Sequence, residues 1–350
     1  MPLKPRELSF LRLLGSLLPS KRRPDFRPIL DNPRRILLVK PSERLGNVVL
    51  MNSAIGSVYS AHPDISIDLL LPETFADIMA GDRRINEIIR VGKKEYILKP
   101  FKLMKLIGSL KGRHYDLAID CSDVNSHSLT AAAYTLLSRP VISAGWKMGD
   151  RPVFDIEIPR YDEVIPVKDM IPRLISGIFG RDLSGDPYFE SRSSRSLVQE
   201  PVVGINCGGR GSKRWPLENF IELGRRLSLQ GIRSEFILGP AEGSMRSELR
   251  KNLAENSCLR DEMPAVKLKE VIARYALFVS SDTGPMHLAW TQRVPTIAIF
   301  LDSEIEKFKP LSSGSVALDG KVGVSVDRVF QLVMEALNQK IDSRVPGVKR

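Results

Sequence analysis

The chain has 350 residues, 43% apolar and 27% charged, which excludes a fully disordered or fibrous chain and predicts about two domains. No run approaches the ~18–20 apolar residues of a membrane span. Lys and Arg total 52 against 41 Asp and Glu, and the net +11 points to anionic partners (nucleic acid, anionic membrane or phosphorylated substrate), with a solvated basic surface as the plain alternative.

Residues 7–18 predict a short helix, with Leu8, Phe10, Leu11, Leu13, Leu14, Leu17 and Leu18 on a wide apolar face and Ser9, Arg12 and Ser16 on the polar stripe. Lys21, Arg22 and Arg23 follow Pro19. Such a segment either rests on anionic lipid or packs on the body of the protein. It is a poor signal peptide, and three scattered cysteines (Cys121, Cys207, Cys258) fit a reducing compartment, so the expected location is cytoplasmic.

From Arg35 the pattern is regular. Strands are predicted at 35–39, 65–71, 87–91, 115–120 and 141–145, with helices at 46–61, 73–79, 99–111 and 126–137 between them. Residues 181–200, rich in Ser, Arg and Asp, read as a linker. The alternation then restarts, with strands at 201–206, 234–239, 276–281 and 295–301 and helices at 216–230, 243–255, 268–275, 284–292 and 325–340. Strands separated by helices mean βαβ units and parallel sheets, hence two α/β halves whose ligands bind outside the carboxyl ends of the strands.

Three loops, each just after a predicted strand, carry the chemistry. In KPSERLGNVVL (40–50) a glycine allows close backbone approach and the next helix points N–H groups outward. In NCGGRGSKRWP (206–216), Gly208, Gly209 and Gly211 free the backbone, Lys213 and Arg214 add charge, and Pro216 opens a helix, a set that suits a phosphate or diphosphate. In SSDTGPMHLAW (280–290), Thr283 is placed to cap the helix that starts near Gly284, and His287 lies in its first turn beside an anion-favouring helix end. His62, His114, His127 and His287 are scattered, so no metal cluster is expected and Lys213 with the helix dipole must do a metal's work on a diphosphate.

Taken together these loops resemble glycosyltransferase family 9, the heptosyltransferases of lipopolysaccharide core synthesis. The resemblance runs from about Arg35 to about Leu337, through ILLVKPSERLGNVVL, YDLAID, GINCGGRGSKRWPLENFIELGRRL, ILGPAEG and LFVSSDTGPMHLAWTQRVPTIAIF. It implies an α/β fold of GT-B type, two Rossmann-like parallel-sheet domains facing a cleft. The implied division is a basic amphipathic segment 1–30, an acceptor domain 31–180, the linker 181–200, a donor domain 201–340 and a basic tail 341–350. The implied reaction is inverting, metal-independent and cofactor-free transfer from a nucleotide diphosphate sugar, usually ADP-heptose, to a lipid-linked saccharide at the anionic cytoplasmic face of the inner membrane. By the same resemblance Lys213 contacts donor phosphate, Thr283 and Gly284 form the phosphate-binding turn, Asp282 and His287 are donor-site residues, and Glu242 lies near the donor ribose.

The chain departs from the family at two places. Where the family reads L-G-D, with the Asp as proposed general base, this chain has Leu45-Gly46-Asn47, and Leu301 stands where a glycine usually follows the Phe. An amide takes no proton at neutral pH, so Glu43, four residues earlier, is the first candidate for the base, with Asp120 and Asp123 second and Asn47 left to orient the acceptor. The alternative function is a degenerate GT-B module that binds nucleotide or glycan without turnover. Nucleic acid is not an expected partner, since no nucleic-acid motif is present and only 7% of residues are aromatic.

Overall fold

The computed structural model describes residues 5–16, 25–92, 100–124, 126–161, 163–189, 200–209 and 211–342. The chain divides into two compact units, Met1–Pro187 and Tyr188–Arg350. The first holds strands β1 (Arg35–Val39), β2 (Ser66–Pro72), β3 (Glu87–Val91), β4 (Leu117–Asp120), β5 (Ile142–Trp146) and β6 (Ile156–Ile158). The second holds β7 (Val202–Asn206), β8 (Arg233–Ile237), β9 (Ser257–Arg260), β10 (Leu277–Ser281), β11 (Thr296–Phe300) and β12 (Val316–Asp319).

All pairings between these strands are parallel. The orders are β3-β2-β1-β4-β5-β6 and β12-β11-β10-β7-β8-β9. Counted from its own first strand, each sheet therefore runs 3-2-1-4-5-6, the dinucleotide-binding order, and reverses direction between β1 and β4 or between β7 and β10. The central strands read as unbroken apolar runs because helices cover both faces: Ile36–Val39 and Ile297–Phe300 are all buried.

The two sheets also repeat a polar clamp. Asp68, third in β2 and fully buried, accepts from Arg35 Nε and Nη2 (3.1 and 2.8 Å), Asn86 Nδ2 (2.8 Å) and Tyr115 Oη (2.8 Å). Glu235, third in β8, accepts from Arg260 Nε and Nη2 (2.8 Å each) and Tyr275 Oη (3.0 Å). Burial alone would raise the Glu235 pKa, but the hydrogen bonds from Arg260 and Tyr275 outweigh it and hold the carboxyl below its ordinary value. Each tyrosine stands two residues before the fourth strand of its sheet.

Several elements differ from expectation. The helix expected at 46–61 is two, Leu45–Val49 and Met51–Ala61, and the one expected at 73–79 is a short α-helix, Glu73–Ala76, tightened into a 3₁₀ turn at Asp77–Met79. Pro216 is the N-cap of helix Leu217–Leu229 rather than its first helical residue. Strands β6, β9 and β12 and helix Val167–Phe179 had no sequence expectation. That helix buries Met170, Ile171, Leu174, Ile175 and Ile178 along one face and tolerates Pro172 near its start.

The N-terminal helix, Pro5–Ser16, packs on the first unit. Leu11 is fully buried among Ala132, Leu136, Met148, Val153 and Phe154, with Leu8 beside it, a burial worth about 2 kcal/mol for the leucine. Phe10 and Leu13 stay exposed. Leu17, Leu18 and the Lys21–Arg23 cluster lie outside the described residues, as does most of the expected linker (190–199) and the tail from 343 onward. Residues 181–187 belong to the first unit: Leu183 O accepts from Ser57 Oγ (3.2 Å), and Gly185 and Asp186 cross the Met51–Ala61 helix at Gly56, where a Cβ would lie 2.7 Å from the Asp186 nitrogen. Phe189 N donates to Thr291 O (2.9 Å) in the second unit. Among the described residues, no helix is long and apolar enough to cross a membrane.

Candidate functional sites

Each sheet reverses order where the sequence placed its functional loops. In the first unit, Val39 pairs with Asp120, so the chain leaves β1 and β4 side by side. Lys40 follows β1 and is buried; its Nζ donates to Cys121 O and to Asp123 Oδ1, both at 2.7 Å. Asn47 opens out from helix Leu45–Val49, where its Nδ2 donates to Ser42 Oγ (3.0 Å) and faces Asp123 Oδ2 (3.4 Å). The Asp123 side chain is 32% exposed, so its carboxylate is held on two sides and open on another.

Glu43 is not part of this group. It is exposed and its Oε2 accepts from Thr74 Oγ1 (3.2 Å). Asp120 is fully buried, with Oδ1 tied to Ser122 N (2.8 Å), and burial raises its pKa to about 6 against the pull of Ser122 and Lys40. Beyond the carboxyl ends of β4, β5 and β6 lie six buried polar atoms with no partner among the described residues: Asp120 Oδ2, Ser122 Oγ, both ring nitrogens of His127, Trp146 Nε1 and Tyr161 Oη. An unpaired buried polar group costs about 1–3 kcal/mol, so these atoms call for ordered water.

In the second unit, Asn206 ends β7 beside Ser280 of β10. Its Nδ2 donates to Ser280 Oγ (2.9 Å) and Thr283 Oγ1 (3.0 Å). Thr283 is the N-cap of helix Gly284–Thr291 by position, but its hydroxyl makes no capping bond; Asn206 and Ser280 hold it instead. The helix thus keeps its N-terminal partial charge, and Pro285 in its first turn surrenders no donor.

The glycine loop brings in the cation. Gly211 has φ +54°, and a Cβ on Gly209 would lie 2.8 Å from that of Arg214, so the turn demands glycine at both. Trp215, buried and edge-on to Phe220, anchors its far end through N–H to Ser281 Oγ (3.1 Å). Lys213 Nζ then stands 3.9 Å from Asp282 Oδ2, and His287 Nε2 stands 3.9 Å from Asp282 Oδ1. His287 Nδ1 accepts from Trp290 Nε1 (3.1 Å), which places the ring proton on Nε2, toward Asp282. Burial lowers the His287 pKa to about 4, the nearby Asp282 opposing, so the ring is neutral at pH 7.

Lys213, Asp282, Thr283, Gly284 and His287 are therefore brought together, while Glu242 lies at the neighbouring β8 end. Its Oε2 caps its own turn by accepting from Gly239 N (3.0 Å), and its Oε1 lies 3.5 Å from where a Gly208 Cβ would be. Sequence reasoning passed over Lys40 and Asn206. Each stands where its strand leaves the sheet at the reversal point, and that position is the signal that could have found them. Among the described residues no three His, Cys, Asp or Glu side chains gather as a metal site requires.

Residues 181–336 match the family described as glycosyltransferase family 9 (heptosyltransferase). Lipopolysaccharide heptosyltransferase 1 of Escherichia coli strain K12 is 26% identical over 287 residues, covering 76% of this chain and 87% of that protein. Among solved structures, a glycosyltransferase of family 9 from Veillonella parvula superposes with TM-score 0.76 at 19% identity, over 87% of this chain and 98% of that one. An E. coli heptosyltransferase solved with ADP gives TM-score 0.72 at 21% identity, over 86% and 99%. The two parallel sheets and these likenesses define a glycosyltransferase of GT-B fold. The family 9 match lies in residues 181–336, and the likeness to the E. coli protein extends over most of the chain.

Proposed function

We propose that the chain transfers a heptosyl residue from ADP-heptose to a lipid-linked saccharide of the lipopolysaccharide core, with inversion and without a metal ion or cofactor. The observation that carries this reading is the β7/β10 reversal point, where an open helix N-terminus, the Asn206-held Thr283 hydroxyl and Lys213 gather at one place. Backbone donors and one lysine offset the charge of a diphosphate leaving group. Lys213, Asp282, Thr283, Gly284 and His287 take the diphosphate end, and Glu242 the ribose. The part-open Asp123 side chain at the β1/β4 reversal point supports a hydroxyl-bearing acceptor in the first unit.

The acceptor's lipid calls for a membrane-facing surface. Phe101 and Met104 are exposed on helix Pro100–Gly112, each next to a lysine (102 and 105), and Phe10 and Leu13 are exposed on the N-terminal helix; both helices pack against Leu129–Leu137. Lys111 is half-buried at the end of the first helix, and Lys93, Lys94 and Lys99 lie outside the described residues. We place the protein in the cytoplasm, peripheral on the anionic inner face of the inner membrane.

Asn47 motivates a second reading, a module that binds nucleotide or glycan without turnover. One experiment separates the two. ADP-sugars and other nucleotide sugars are screened for thermal stabilisation with and without EDTA, and each hit is assayed for transfer to heptose-deficient lipopolysaccharide. ADP-heptose at 100 times its Kd should stabilise by about 2.7 kcal/mol, unchanged by EDTA, and be consumed. Binding without consumption gives the second reading; an absolute need for Mg²⁺ removes the metal-free mechanism.

A further inference from the structure

We propose that Asp123 is the general base of the transfer, replacing a carboxylate at position 47. This rests on the reading of the chain as a sugar transferase. An acceptor hydroxyl must shed its proton as its oxygen bonds to the anomeric carbon, and Asn47 cannot take it. The reversal point of the first sheet offers three carboxylates.

Asp120 is 1% exposed and spends one oxygen on Ser122 N, so no substrate hydroxyl reaches it. Glu43 is exposed and meets Thr74, outside the group formed by Lys40, Asn47 and Asp123. Asp123 remains. Lys40 fixes Oδ1 at 2.7 Å, Asn47 faces Oδ2 at 3.4 Å, and about a third of the side chain is open. The long 3.4 Å approach leaves Oδ2 able to accept a shorter, stronger bond from a substrate O–H. Asn47 becomes the positioning residue: its amide donates toward Oδ2, and its Oδ1 can accept from the acceptor.

In the step, the acceptor oxygen forms its bond to the anomeric carbon and the bond from that carbon to the donor phosphate oxygen breaks. The electron pair leaves with the diphosphate, and the acceptor proton passes to Asp123 Oδ2. The proton neutralises the Asp123 carboxylate, and buried Lys40 keeps its bonds to Cys121 O and Asp123 Oδ1 while the proton is held.

The plain alternative is that Asp123 only neutralises Lys40. Removing one partner of a buried pair destabilises strongly, so stability and turnover must be read separately. The test compares wild type, Asp123→Asn, Asn47→Asp/Asp123→Asn and Glu43→Gln. The assays are ADP-heptose consumption with heptose-deficient lipopolysaccharide, ADP affinity and thermal unfolding, all below the lowest melting temperature. Asp123→Asn should lower kcat at least 10²-fold with ADP affinity and acceptor KM within about threefold. The double variant, which moves the carboxylate across the same contact, should recover at least tenfold of that loss.

Asp123→Asn that melts early yet keeps kcat assigns Asp123 to structure and overturns the proposal. So does a full loss in Glu43→Gln with Asp123→Asn active. Wild type that binds ADP-heptose and consumes none overturns the transferase reading itself, a result distinct from an active wild type with an active Asp123→Asn.

Discussion

The two sheets are alike within and different at the end where strands finish. Each buries a carboxylate, third in its second strand, against an arginine and a tyrosine: Asp68 with Arg35 and Tyr115, Glu235 with Arg260 and Tyr275. At the end where strands finish, the same topology carries opposite chemistry. The first unit presents a carboxylate held by Lys40 and Asn47, suited to receiving a proton. The second presents a lysine, an uncapped helix start and a neutral histidine, suited to receiving negative charge. Topology dictates where a site forms, and the few residues leaving the strands decide what it does.

If the clamps are equivalent, breaking either should cost the same. Asp68→Ala and Glu235→Ala each leave a buried tyrosine hydroxyl without its acceptor and a partly exposed arginine free to turn to water, and each should destabilise by about 1–3 kcal/mol in denaturant unfolding, with ADP affinity unchanged in the molecules that remain folded. A cost under 1 kcal/mol for one of them would break the symmetry.

The strand-end chemistry predicts opposite responses to acid. His287 titrates near 4 in the fold against about 6.5 in the unfolded chain, so its contribution is complete above pH 6.5 and lost as pH falls toward 4, about 3 kcal/mol in all. Burial and Arg160 lower His127 in the first unit to about 4 as well, with the same sign. Asp120, raised to about 6, has the reverse sign: its cost at pH 7 is relieved as pH falls from 6 toward 4. The first unit therefore holds offsetting groups and the second does not. His287→Gln should flatten the acid limb of stability against pH, and Asp120→Asn should steepen it. Parallel profiles for wild type and both variants would show that neither group titrates as its surroundings dictate.

The strands of both units were legible in sequence where they are fully buried, because a run such as ILLV or IAIF has no other stable place in an α/β chain. The edge strands β6, β9 and β12 were not, since they are only three or four residues long and half-buried, too short for a period to show. Helix 46–61 read as one because its apolar period continues through the break at Leu50. At the sites, the glycine loop and the DTGP turn announced themselves by composition. Thr283 was expected to cap its helix, but Asn206 competes for its hydroxyl from 77 residues away, a contact no local pattern encodes. Glu43 was chosen over Asp123 for its nearness in sequence to Asn47, whereas the 76-residue separation of Asn47 and Asp123 is closed only by the β1–β4 pairing.

Within the second unit, the glycine loop sets Lys213 beside Asp282. Lys213→Ala should weaken ADP binding at least tenfold, about 1.4 kcal/mol, measured by calorimetry with EDTA present. Lys40→Ala, at the matching level of the first unit, should leave ADP affinity unchanged in folded protein while abolishing turnover. Equal losses of ADP affinity in both would mean that the division of labour between the sheets is wrong.

The smallest effect concerns the surface of the first unit. Helix Pro100–Gly112 exposes Phe101 at 83% and Met104 at 67%, with Lys105 also exposed, and buries only Leu110. A helix that offers water its large apolar side chains beside cations is shaped for a boundary between lipid and water. One lysine near an anionic surface contributes about 1 kcal/mol, so Lys105→Gln should weaken binding to vesicles containing phosphatidylglycerol by about fivefold at low salt, with the difference vanishing as salt screens the charge. Phe101→Ser removes insertion rather than attraction, so its loss should persist at high salt. Two variants with the same salt dependence would mean that the aromatic ring does not enter the bilayer and that this face meets the membrane through charge alone. Equal binding of wild type to neutral and anionic vesicles would remove the electrostatic part altogether.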